Sequence, residues 1–193
     1  MKDALFLIAL AVLFLGFSGV VAAQSANPKV LMKTSKGDIT LELLPDKAPL
    51  TVKNFLAYVE AKFYDGTVFH RVIETFMIQG GGMTADLREK ESRAPIKNEA
   101  GNRLSNIRGT VAMARTPEVD SATCQFFINT VNNPGLDHQN NTVDGFGYCV
   151  FGRVIVGLDV VDAIARVPTT IKKGMEDVPR ETVTILSVRR LTT

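Results

Sequence analysis

Phe69-His70-Arg71-Val72-Ile73, followed by Phe76-Met77-Ile78-Gln79-Gly80-Gly81-Gly82, decides how this chain is read. β-Branched and aromatic residues at this density favour extended strands. The two runs read as neighbouring strands, the second opening into a glycine turn. A single permanent cation, Arg71, stands in the middle of the first run. Carrying an unpaired charge into a core is costly, so Arg71 requires either an ion-pair partner on the strand or a function.

Outward from this pair the pattern stays mostly extended. Val30-Leu31-Met32-Lys33-Thr34, the turn Ser35-Lys36-Gly37-Asp38, and Ile39-Thr40-Leu41-Glu42-Leu43 form a hairpin signature. Its second arm alternates strictly, which buries one face and wets the other. Pro49 stands where a first helical turn tolerates it. Val52, Phe55, Leu56 and Val59 follow on one helical face, and the helix is expected to end near Lys62. Short strand-like runs cover 68–73, 76–79, 110–114, 126–130 and 149–156. A second helix is expected over 158–167, with Leu158, Val161, Ile164 and Ala165 inward and Pro168 as its stop. A last strand spans 182–191. Many short strands with two helices imply a mainly β chain, either a barrel with helical covers or another α+β arrangement. Residues 132–147 are polar and rich in Gly and Asn, and read as a loop.

A chain of 193 residues predicts one domain, at most two. Tryptophan is absent, so 11 phenylalanines must supply most of the aromatic packing. Net charge is +2, and the basic residues are scattered, which argues against nucleic acid as a partner. The N-terminus differs in kind. Residues 4–17 are an unbroken apolar run, and Val21-Ala22-Ala23 satisfies the small-x-small rule for signal-peptidase cleavage before Gln24. Residues 1–23 are therefore expected to be a signal peptide and 24–193 the mature domain, exported to the periplasm. The competing reading is an uncleaved membrane anchor, since the stretch is just long enough to span. Cys124 and Cys149 are the only cysteines. They fit buried packing residues, with a disulfide as the alternative in an oxidising compartment.

Three further segments complete a recognisable set: Gly109-Thr110-Val111-Ala112-Met113-Ala114-Arg115, Gln125-Phe126-Phe127-Ile128-Asn129 and Phe151-Gly152-Arg153-Val154. With the opening pair they resemble the cyclophilin family of peptidyl-prolyl cis-trans isomerases, most closely its exported bacterial members. The likeness runs from about Pro28 to Leu191. It implies a closed eight-stranded antiparallel β-barrel with a helix capping each end. It also implies an isomerase that acts on X-Pro bonds in unfolded or loop segments of exported proteins and needs no cofactor; the absence of recognisable interaction modules suggests a monomer. A peptide-binding chaperone on the same fold, with turnover incidental, is the alternative.

By the same resemblance Arg71 is the catalytic cation, and Gln79 binds the substrate backbone and positions Arg71. Phe76, Met77, Phe127 and Leu136 line the pocket for the proline ring. Phe126, one residue from Phe127, must then point the other way into the core. Ala114, Arg115, Gln125 and Tyr148 form the rim. Arg115 replaces the asparagine common in the family, and Tyr148 replaces a histidine.

The chemistry such a site must perform is modest in kind. Rotation about the peptide C–N bond faces a barrier of about 18–20 kcal/mol and takes tens of seconds or more unaided. Reaching milliseconds requires lowering it by roughly 7 kcal/mol. No covalent bond breaks, so no nucleophile is needed. Rival chemistries lack their parts. Gly80-Gly81-Gly82 is followed by no Gly-Lys-Ser/Thr, two histidines are too few for a His-based metal site, and no Gly-x-Ser-x-Gly elbow exists.

Overall fold

The computed structural model describes residues 26–192, so the expected leader, 1–23, lies outside the described residues. In chain order the elements begin β1 (Lys29–Thr34), β2 (Gly37–Leu43), α1 (Pro49–Glu60), β3 (Val68–Ile73), β4 (Met77–Gly80), β5 (Thr110–Met113) and β6 (Phe126–Asn129). They continue with β7 (Val150–Val156), α2 (Leu158–Ala165), β8 (Thr169–Lys172), β9 (Met175–Pro179) and β10 (Val183–Leu191). Eight strands close a barrel in the order β1-β10-β3-β4-β6-β5-β7-β2, every pairing antiparallel. Closure leaves no free barrel edge. Strands β8 and β9 pair with each other as a separate hairpin. That hairpin is absent from the reading of the sequence, because β8 has no buried residue and so carries no alternating signal.

The barrel interior is an aromatic core. Phe55 of α1 packs edge-on against Phe126 at 5.8 Å and lies 5.1 Å from Phe151, while Tyr64 and Phe69 approach Phe126 from other sides. Tyr64 is fully buried and donates its hydroxyl to the Cys124 carbonyl at 3.0 Å. Both cysteines lie just before strands rather than within them, and both are buried free thiols.

Helix α1 packs against β10, and α2 against β2, β3 and β4. The start of α1 has Ala48 at its N-cap, which has no capping side chain. Glu99 does the capping from a distant turn. Its carboxylate accepts the N–H groups of Leu50 (3.1 Å) and Thr51 (2.8 Å) and the Thr51 hydroxyl (2.7 Å). At the other end Lys62 takes the left-handed conformation (φ 53°). The N–H groups of Lys62 and Phe63 return to the carbonyls of Val59 and Tyr58, closing the helix.

Candidate functional site

The site grows from alternation on the strands. Ile78, Val111, Met113, Phe126, Ile128 and Phe151 belong to the interior core. Their neighbours Met77, Ala112, Phe127 and Val150 form a second apolar cluster on the other face, joined by Phe76, Ala114, Leu136 and Tyr148. Phe126 therefore points inward and Phe127 outward, as period-two geometry requires. Register aligns the outer row. Arg71 lies opposite Gln79, Gln79 opposite Phe127, Phe127 opposite Ala112, and Ala112 opposite Val150.

Arg71 reaches that row through an irregularity. The β3–β4 register shifts between Phe69 and Arg71, so His70 is an extra residue with no partner, a β-bulge. Strict alternation from Phe69 would send Arg71 into the barrel and Val72 out of it. Instead Phe69 and Val72 both belong to the interior core, and Arg71 faces outward. The Arg71 side chain is 44% exposed, and its Nε lies 3.8 Å from the Asp177 carboxylate of β9. His70 takes the inward cost. It is buried, and its Nδ1 has no hydrogen-bond partner among the described residues. Burial lowers its pKa to about 4, opposed by a backbone hydrogen bond at Val68 and helped by the neighbouring Arg71 charge.

A cavity of about 130 Å³ opens on the outer cluster. Nine residues line it: Arg71, Phe76, Met77, Gln79, Ala114, Arg115, Phe127, Leu136 and Tyr148. All nine were singled out in the sequence. Met77 and Phe127 are nearly buried and form its apolar floor. The tenth, Gln125, lines an adjoining hollow with Gln79, Ala114, Arg115, Thr116, Ser121 and Thr123. Gln79 donates its amide to Gln125 Oε1 at 2.9 Å, which ties the two hollows together. Gln79 faces Arg71 across the strand pair, but the amide is directed toward Gln125.

The glycine triplet explains how Gln125 fits. A Cβ at Gly82 would meet Gln125 Cγ at 2.3 Å, and one at Gly81, whose φ is +88°, would meet the Phe126 ring at 2.6 Å. Only glycine lets this turn press on the start of β6.

Arg115 serves the loop that shapes the rim. Its guanidinium donates to the carbonyls of Gly147, Thr116, Pro117 and Val143, and lies 4.9 Å from the Tyr148 ring centre. The side chain thus clamps the far end of the 132–147 segment to the strand β5 exit.

An asparagine network, unnoticed in the sequence, supports the opposite wall. Buried Asn106 donates Nδ2 to the Leu136 and Tyr148 carbonyls and receives a bond from Asn129. Asn133 donates to the Phe76 carbonyl (2.8 Å) and to Asn129 Oδ1 (2.7 Å). Three lining residues are thereby fixed through their backbones. The signal available was Asn129, a polar residue ending the apolar run Phe126-Phe127-Ile128.

Chemically the arrangement offers a buried apolar floor, a guanidinium at its mouth, and an amide pair beside it. Comparison with known proteins agrees. The family profile described as "Cyclophilin type peptidyl-prolyl cis-trans isomerase/CLD" matches residues 29–190. A peptidyl-prolyl cis-trans isomerase of Acinetobacter baylyi is 52% identical over 170 residues, covering 88% of this chain and 89% of the relative. Another from Streptomyces antibioticus is 56% identical over 162 residues, covering 84% and 98%. The crystal structure of a Cryptosporidium parvum cyclophilin-type isomerase in the presence of the dipeptide Ala-Pro superposes with a TM-score of 0.70 at 25% identity, covering 86% of this chain and 99% of that one.

Proposed function

This chain belongs to the cyclophilin-type peptidyl-prolyl cis-trans isomerases, and from that premise we propose how its groove turns an X-Pro bond. The prolyl ring enters the cavity over Met77 and Phe127. Water leaves the amide as it does so, which favours the less polar, twisted form of the peptide bond. As the bond twists, the nitrogen lone pair localises, and the Arg71 guanidinium donates a hydrogen bond to it. A charge-assisted bond of this kind contributes roughly 1.5–3 kcal/mol. Desolvation and orientation supply the remainder. Gln79 and Gln125 hold the substrate backbone, and the backbone groups of Ala114 and Arg115 extend that contact along the rim.

The observation that carries this reading is the position of Arg71 at the mouth of a cavity floored by Met77 and Phe127. A protease-coupled assay on a short Xaa-Pro peptide tests it. Arg71→Ala is expected to lose most turnover while the fold, read by circular dichroism, survives. Arg71→Lys is expected to fail badly too, because an ammonium lacks the planar fork. Wild-type turnover in folded Arg71→Ala protein would remove Arg71 from the mechanism.

The clients are proline-containing segments of exported proteins, and the mature chain begins at Gln24, acts in the periplasm, and works as a monomer. The support for export and for the start at Gln24 is the apolar run 4–17 followed by Val21-Ala22-Ala23. Intact mass of the exported protein decides the start, with retention of residues 1–23 in a membrane fraction as the contrary result.

A further inference from the structure

The β8–β9 hairpin plays no part in closing the barrel, yet it is fastened along β3. At its base Arg180 donates Nε to the Thr169 carbonyl (3.2 Å), and at its tip Lys173 donates Nζ to the Asp86 carbonyl (2.6 Å). Two of its non-glycine residues are left-handed, Lys173 (φ 53°) and Asp177 (φ 57°). Lys173 lies in the turn, which accounts for its conformation. Asp177 lies inside β9 in a β-bulge, where Glu176 and Asp177 together oppose Ile171 across the register shift between Thr170 and Lys172. The bulge accounts for this conformation, which Asp tolerates better than most residues. Here it accompanies a carboxylate 3.8 Å from Arg71 Nε.

We propose that Asp177 is a positioning residue for the isomerisation, holding the Arg71 guanidinium by its Nε edge so that the terminal amino groups face the cavity. The proposal rests on the role of Arg71 given above. An arginine side chain has many rotamers, and a donor aimed at a twisting nitrogen must be held closely to act. The bulge at His70 sets the face from which Arg71 leaves the strand. Asp177 sets where its far end rests. The pair is part exposed, 44% and 37% for the two side chains, so its hold weakens as salt rises.

The test uses Asp177→Asn and Asp177→Gly in the full chain, since both residues tolerate a left-handed backbone and the fold should persist. Each variant is expected to lower kcat by about threefold or more, the range open to an exposed pair, with KM little changed. Raising the salt should narrow the gap to the wild type. In an Arg71→Ala background, assayed at enough enzyme to read its residual rate, Asp177→Asn should cost nothing further. A kcat at or above the wild-type value in both variants overturns the proposal, as does a loss that persists undiminished without Arg71. If Arg71→Ala is itself fully active, the Arg71 reading falls and this inference falls with it. If Arg71→Ala is inactive and the Asp177 variants are not, only the inference falls.

Discussion

A single inserted residue determines what Arg71 can do. Without the extra residue at His70, alternation would turn the guanidinium toward the interior core, at a heavy desolvation cost. The structure gives both readings raised by the sequence, ion pair and function, their geometry. Arg71 lines the cavity and also faces Asp177. Periodicity could not reveal this, since bulges and cross-strand partners are properties of register. The two cysteines show the opposite case, buried free thiols that do not line the cavity. Burial pushes the Cys149 thiol up to about 11 and also raises that of Cys124. At pH 8 only about one Cys149 in a thousand is then thiolate. The folded protein is expected to resist iodoacetamide at that pH until denatured, and to turn over equally with and without reductant. Rapid alkylation of the native protein, or redox-dependent turnover, would contradict this.

Elements were legible where their signal is local. The β1–β2 hairpin, both helices and the barrel strands appear in the sequence with ends shifted by one or two residues. α1 stops at Glu60 rather than Lys62, and α2 at Ala165 rather than 167. The β8–β9 hairpin did not appear, because Thr169-Thr170-Ile171-Lys172 has no buried residue to mark it. Nor did the cap of α1, which comes from Glu99, 48 residues away from Thr51. That cap is a strong candidate for the helix's local stability. Glu99 satisfies two otherwise orphaned N–H groups and places a negative charge at the positive end of the helix. Replacing Glu99 with Ala is expected to destabilise the protein by about 1–2 kcal/mol, and Glu99→Gln by less, since one amide oxygen still accepts. Urea unfolding curves measure both. Equal midpoints for wild type and Glu99→Ala would show that water caps this helix as well as the carboxylate does.

For the molecule as a whole, the sequence indicated a mainly β chain, and its motifs pointed to the closed barrel and to the residues around the cavity. What it left out was the cost of building that site, and His70 carries part of it. The residue is 3% exposed, its Nδ1 has no hydrogen-bond partner among the described residues, and its pKa falls to about 4. In the unfolded chain the ordinary value is about 6.5. Between those two values the unfolded state binds more protons than the folded one, so stability rises with pH across this window. The neutral form's advantage is complete above about pH 6.5 and is lost progressively as the pH falls toward 4. The shift corresponds to about 3 kcal/mol, a large share of the 5–15 kcal/mol that holds a typical domain together. Carboxylates titrate in the lower part of the same window, so the measurement is a difference. Urea unfolding of the wild type and of His70→Gln at pH 7, 5.5 and 4.5 should show two curves that converge as the pH falls, because glutamine cannot take up a proton. The variant starts lower at pH 7 if its amide is left unpaired in the same site, but its own slope lacks the histidine contribution. Parallel curves across the three pH values would mean that His70 titrates normally in the folded protein, and that the bulge which turns Arg71 outward buries its extra residue without electrostatic cost.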